Sequence, residues 1–152
     1  MTWLGDSVFS IREAATNNVK KLTEVFGVDW AKTNLIPKVL ALHVHPNYLY
    51  RMTTLFAISV LSSSLVFANA KQALAPIVGA ELLTSVMLPL VIKLSRDTVP
   101  NIRFNVAKTL HHLIPLLDNN TVQSQVRPCL QKLNEDTDKD VKYFADQALK
   151  SC

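Results

Sequence analysis

An internal period of 39 residues constrains this chain more than any other feature. It emerges when three stretches are aligned on their prolines: Ile36-Pro37-Lys38-Val39-Leu40, Leu88-Pro89-Leu90-Val91-Ile92 and Arg127-Pro128-Cys129-Leu130-Gln131. Eight residues after each proline stand His45, Asp97 and Asp136. Five further on comes a bulky residue followed by a cation: Tyr50-Arg51, Ile102-Arg103 and Val141-Lys142. Ten residues before each proline come Gly27, Gly79 and Asp118. The chain opens on the second half of the same pattern, with Asp6 five residues ahead of Ile11-Arg12. Anchors recurring at fixed offsets mark a repeat architecture, in which each unit buries its apolar face only against its neighbours.

Each unit reads as two helices, A then B. Helix A carries Leu35, Ile36, Val39, Leu40 and Leu42 in the second unit, Leu88, Val91, Ile92 and Leu94 in the third, and Val126, Leu130 and Leu133 in the fourth. That spacing places them on one helical face. The proline falls about one turn into this helix, so a kink or a late start is expected. Polar turns follow, such as Asp97-Thr98-Val99-Pro100-Asn101 and Asp136-Thr137-Asp138-Lys139-Asp140, whose side chains can cap the next helix. Helix B then presents Ile11, Ala14, Ala15, Val19 and Leu22; Ile102, Val106, Ala107 and Leu110; or Val141, Phe144, Ala145, Ala148 and Leu149. Alanine in mid-helix permits close helix–helix approach. The fold class expected is all-α, an α-α superhelix of about three and a half helix pairs. It forms a single domain over 1–152, divided into a partial unit 1–28 (mainly helix B) and units 29–80, 81–119 and 120–152.

The spacing is broken once. Ile11 to Tyr50 and Ile102 to Val141 are 39 residues each, but Tyr50 to Ile102 is 52. The 13 extra residues lie within helix B of the second unit, most simply at 60–72. At about 100° per residue they rotate a continuous helix by roughly 1300°, which swings the remaining apolar stripe away from its original face. The helix is therefore lengthened with its end repacked, or the segment loops out and exposes Leu65, Val66 and Phe67. Retained intron is a further reading of 60–72, one that an uninterrupted coding exon would exclude. The start, Met1-Thr2-Trp3-Leu4-Gly5-Asp6, reads as already inside structured sequence, so a truncated fragment or an incomplete gene model is expected.

Composition narrows the function classes. Apolar residues at 49% and charged residues at 18% describe a folding chain rather than a disordered one. Three glycines leave no glycine-rich loop for a nucleotide, and a net charge of +4 is too mild for a nucleic-acid-binding surface. Cys129 and Cys152 cannot make a disulfide framework, and no secretory signal opens the chain, so a cytoplasmic or nuclear location is expected. Residues 73–92 carry one charge, Glu81, but Pro76, Gly79 and Pro89 interrupt them, so no membrane partner is expected. His43 with His45, His111 with His112, and Cys129 lack the spacing of a zinc site. Asp136, Asp138 and Asp140 start like a calcium loop, yet Val141 and Gln147 stand where glycine and glutamate are needed. No catalytic constellation is recognisable, so neither a cofactor nor an enzymatic activity is expected. Asn119-Asn120-Thr121 is a glycosylation acceptor only in form.

Proline in helix A, aspartate in the turn, and a hydrophobic residue plus Arg or Lys opening helix B resemble HEAT repeats. The strings Ile11-Arg12-Glu13-Ala14-Ala15, Pro46-Asn47-Tyr48-Leu49-Tyr50-Arg51, Asn101-Ile102-Arg103-Phe104-Asn105-Val106-Ala107-Lys108 and Asp140-Val141-Lys142-Tyr143-Phe144-Ala145 resemble, more narrowly, the C-terminal repeats of the phosphatase 2A scaffolding A subunits. The resemblance covers nearly the whole chain apart from the extra residues. It implies the last three repeats plus helix B of the one before. It also implies an acid–cation ladder between repeats, with Asp6, Asp97 and Asp136 as acids and Arg12, Arg51, Arg103 and Lys142 as cations. His45 interrupts that ladder.

The same resemblance implies a non-catalytic scaffold that binds the phosphatase catalytic subunit on the ridge of A–B turns. Its contacts would be Phe9, Tyr48, Leu49, Arg51, Val99 and Pro100; regulatory B subunits would dock on earlier repeats. Two other readings stand beside it: a transport-carrier-like HEAT module that binds peptides or cargo, and a truncated product without function. Trp3, Val8 and Phe9 at the first edge lack a preceding helix to cover them, so self-association there is expected.

Overall fold

The computed structural model describes the backbone of residues 2–68 and 76–152 and the side chains of 3–63 and 79–152. All regular structure among the described residues is helical. A 3-10 turn, Thr2–Gly5, leads into α1 (Phe9–Phe26), α2 (Val28–Asn34) and α3 (Ile36–Leu40). After a second 3-10 turn, Ala41–Val44, come α4 (Tyr48–Ala68) and α5 (Pro76–Leu82). A π turn, Leu83–Met87, precedes α6 (Leu88–Leu94) and α7 (Pro100–Leu113). The chain ends with α8 (Asn119–Thr121), a second π turn at Val122–Val126, α9 (Arg127–Asn134) and α10 (Lys139–Leu149). Contacts divide it into two compact units, Met1–Leu82 and Leu83–Cys152.

The B helices begin at Phe9, Tyr48, Pro100 and Lys139, so their starts are 39, 52 and 39 residues apart, as the sequence period has it. The extra residues do not loop out before position 68, because α4 is unbroken from Tyr48 to Ala68. Lengthening of the helix is the outcome there. Residues 69–72 of the thirteen, and the side chains of Leu65, Val66 and Phe67, lie outside the described residues.

The prolines sit deeper than one turn into helix A. Pro37 follows the start of α2 at Val28 by nine residues, and Pro128 follows the start of α8 at Asn119 by nine. A proline there has no N–H to donate and its ring collides with the carbonyl four residues back. The backbone yields in two ways. At Leu35 the backbone stays in the right-handed helical region but φ widens to −109° (ψ −55°), and this turn separates α2 from α3. In the second compact unit, π turns at Leu83–Met87 and Val122–Val126 widen the helix just ahead of Pro89 and Pro128. Helix A is therefore interrupted or widened ahead of each proline rather than started late.

The three positions aligned ten residues before proline are not equivalent. Gly27 ends α1 with φ +86°, a conformation costly for any residue with a Cβ, and its N–H donates to Thr23 O at 2.9 Å. Asp118 instead caps α8, its Oδ1 accepting from Thr121 N–H at 2.9 Å and its Oδ2 from the Thr121 hydroxyl at 2.6 Å. Gly79 lies inside α5, so in that repeat helix A begins earlier than the alignment implied.

In the second compact unit α7 packs on α6, α9 and α10. Leu88, Val91, Ile102, Val106, Leu110, Leu113, Leu130 and Val141 are fully buried, each worth about 1.5–3 kcal/mol in burial. Ala107, Ala145 and Ala148 are also fully buried, and their small side chains let the helices close up. In the first compact unit α1 packs on α4, but with its stripe turned from the expected one. Arg12, Ala15, Thr16, Val19 and Thr23 are buried, whereas Ile11 is 39% exposed and Ala14 is exposed. Local hydrogen bonds make that polar face buriable: the Thr16 and Thr23 hydroxyls donate to Arg12 O and Val19 O at 2.8 and 3.0 Å.

Candidate functional site

The A–B turns repeat one hydrogen-bonded device in all four repeats. The residue eight beyond the proline position accepts from the N–H two residues on. Asp6 Oδ1 takes Val8 N–H at 2.8 Å, Asp97 Oδ1 takes Val99 N–H at 2.9 Å, and Asp136 Oδ1 takes Asp138 N–H at 2.9 Å. In the second repeat His45 Nδ1 does the same for Asn47 N–H at 3.1 Å. The histidine thus keeps the turn while lacking a carboxylate, and its ring stacks on Tyr50 at 3.9 Å between centroids.

The cation of helix B then closes the turn from inside its own repeat. Arg12 Nη1 donates to Asp6 O and Ser7 O at 2.7 and 3.0 Å. Arg51 Nη1 donates to His45 O and Pro46 O, both at 2.8 Å, and Arg103 Nη1 to Asp97 O and Thr98 O at 2.9 and 3.2 Å. The planar fork of guanidinium suits two carbonyl oxygens converging from one turn, which the point charge of Lys142 cannot match. The ladder expected from the sequence is therefore first a clamp within each of the three repeats that carry arginine. Arg12 meets the carbonyl of Asp6, not its carboxylate.

Within the second compact unit Arg103 also spans repeats. Its Nε and Nη2 donate to Asp136 Oδ2 and Oδ1 at 2.7 and 2.9 Å, with side chains only 15% and 12% exposed. The bidentate bond from Arg103 holds the Asp136 carboxyl below the usual carboxylate range, and the same bond raises the guanidinium. Asp138 caps α10 through Asp140 N–H and Val141 N–H at 3.0 and 3.1 Å.

These clamps fix the turns within each compact unit. Phe9, Tyr48 and Pro100 are each the first residue of a B helix, so three of the expected contact residues occupy equivalent places. Phe9 is 54% and Tyr48 37% exposed, Pro100 is exposed, and Leu49, Arg51 and Val99 are half-buried. The Arg12 guanidinium lies 5.8 Å from the Phe9 ring centre. At the first edge Trp3 and Val8 are 66% and 50% exposed. Trp3, Asp6, Ser10, Ile11 and Asn18 line a groove of about 370 Å³ beside them.

The other chemistry-bearing groups have local occupations. His43 Nδ1 donates to Leu40 O at 2.6 Å, and His111 Nε2 lies 3.1 Å from the Ser151 hydroxyl. Cys129 is buried, and burial pushes its thiol up. Among the described residues no three His, Cys, Asp or Glu side chains gather as a metal site, and no helix is long and apolar enough to cross a membrane. Sequence reasoning missed an aromatic cluster: Phe104 and Phe144 stack at 5.5 Å, with Lys108 4.9 Å from the Phe144 ring centre. Phe104 and Tyr143 share one repeat position, and that was the available signal.

The model of the HEAT repeat matches residues 87–117, which span the first helix pair of the second compact unit. The regulatory A subunit of protein phosphatase PP2A from Saccharomyces cerevisiae is 38% identical over 141 residues, covering 88% of this chain and 20% of the relative. The Schizosaccharomyces pombe protein of the same name is 48% identical over 87 residues, covering 57% of this chain and 12% of the relative. The repeats are those of the PP2A regulatory A-subunit family. The beta isoform of the human 65 kDa regulatory A subunit is 57% identical over 51 residues, or 34% of this chain and 8% of its own. The chain thus spans a fifth or less of the length of these relatives. The fold is the all-α helical repeat of HEAT type.

Proposed function

We propose that this chain is a non-catalytic scaffold segment, the C-terminal repeats of a PP2A regulatory A subunit, and that its A–B turn ridge binds the phosphatase catalytic subunit in cytoplasm and nucleus. The observation that carries the reading is the clamp repeated through the turns. It holds the exposed Phe9, Tyr48 and Pro100 at equivalent positions at the starts of the B helices. Aromatic side chains held rigidly on a ridge offer large apolar area at low entropic cost, the profile of an interface anchor. Leu49 and Val99 extend that surface, and regulatory B subunits dock on other repeats.

The test is binding of purified PP2A catalytic subunit to the chain and to the variants Phe9→Ala and Tyr48→Ala. Each substitution is expected to weaken binding by about tenfold or more, the scale of a buried aromatic anchor. Full affinity in both variants would rule the ridge out as the contact surface.

A further inference from the structure

Between the two A–B turns of the second compact unit lies a groove of about 570 Å³. Ser95 and Arg96 form one wall, Lys132 and Glu135 the other, and the Arg103–Asp136 pair spans it. Three acids of these two turns are spent internally. Asp97 and Asp138 are committed to backbone N–H groups, and Asp136 is taken by Arg103 and Asp138 N–H.

The cations of the two walls are not spent. Arg96 and Lys132 are exposed, and among the described residues no hydrogen bond or ion pair holds either side chain. Both line the one groove, on opposite walls. The helix dipole explains a cation in the last turn, where Lys132 stands in α9. Arg96 follows the end of α6 at Leu94 by two residues and stands in the turn itself, where the same dipole favours it more weakly. Among the described residues that line the groove, Glu135 and the Arg103-paired Asp136 are the acids.

We propose that this groove seats an acidic segment of the phosphatase catalytic subunit, its carboxylates bridging Arg96 and Lys132. The inference rests on the scaffold reading above and gives the chemistry of one contact within it. Arginine on one wall and lysine on the other hold a carboxylate between adjacent repeats, so the contact also reads whether the two turns are in register.

The experiment is titration of the whole chain, under low and high salt, with purified catalytic subunit, beside R96E/K132E, the milder R96Q/K132Q and E135K. The wild type is expected to weaken as salt rises, as screening requires. R96E/K132E should bind at least tenfold more weakly, R96Q/K132Q at least threefold, and both should lose much of the salt dependence. E135K should bind more tightly. The glutamine pair guards against a folding defect, which far-UV circular dichroism would reveal in the reversed pair. If the wild type binds and neither pair differs from it, the groove assignment is overturned while the scaffold reading stands. If the folded wild type does not bind at all, both are overturned.

Discussion

Replacing Asp136 with asparagine isolates the rung that joins the last two repeats. Asparagine has nearly the same shape and keeps an oxygen for Asp138 N–H, which the native Oδ1 accepts at 2.9 Å. What it loses is the bidentate pairing with Arg103 at 2.7 and 2.9 Å, because its NH₂ would face a guanidinium that can only donate. Charge-assisted hydrogen bonds are worth about 1.5–3 kcal/mol each, and the remaining water access reduces their sum, giving a loss of about 2–3 kcal/mol. With a urea m-value of about 1–3 kcal/mol/M, the midpoint of the second compact unit's unfolding should fall by roughly 1 M.

Acid provides an independent reading of the same substitution. Asp136 titrates lower in the folded chain than in the unfolded one, because Arg103 stabilises its charged form. Its contribution is present above the unfolded value of about 3.9 and is lost as pH falls through the lower folded value. The difference in stability between wild type and Asp136→Asn should therefore be constant near neutrality and shrink below about pH 4. A change under about 0.5 kcal/mol at neutral pH, the yield of a solvated surface pair, would refute the reasoning.

Other substitutions probe the remaining parts of the fold. His45→Asp puts a carboxylate at the 33-residue spacing from Arg12 at which Asp136 meets Arg103, at the cost of the Tyr50 stack, and should give a net gain of about 0.5–1 kcal/mol by thermal melting. Gly27→Ala forces a Cβ into φ +86° and should cost about 1–2 kcal/mol in the first compact unit, read by urea titration. Ile102→Ala opens a hole in a fully buried site and should cost about 2–5 kcal/mol in the second. The self-association expected of the edge at Trp3, Val8 and Phe9 should appear as concentration-dependent sedimentation, diminished by Trp3→Ser.

Much of the fold was legible because helix packing repeats its demands at fixed intervals. The repeated anchors Ile11, Tyr50, Ile102 and Val141 each stand in the first turn of a B helix, and in the second compact unit the apolar spacing found Leu88, Val91, Ile102, Val106 and Val141. It failed where polar groups carry the packing. Arg12, Thr16 and Thr23 are buried because backbone carbonyls satisfy them, a fact no hydrophobic pattern encodes. It failed also at the prolines, since sequence shows the missing N–H but not how far the helix runs before the π turn absorbs it. At the ridge, residue types picked out the acids Asp6, Asp97 and Asp136 and the arginines Arg12, Arg51 and Arg103 that the turns use. Pattern alone could not show that the arginine fork would take two carbonyls of its own repeat before reaching the next. His45 looked like a break in the series, yet its Nδ1 serves the turn as a carboxylate oxygen does elsewhere.

The central claim is that these repeats hold the phosphatase catalytic subunit. The most direct test is calorimetric titration of purified PP2A catalytic subunit into the chain, alongside a version lacking residues 60–72. Saturable one-to-one binding by both is predicted, since residues 60–68 continue α4 while the turns and their arginine clamps lie elsewhere. Absence of binding by both, with circular dichroism showing each to be helical and cooperatively folded, would contradict the scaffold account.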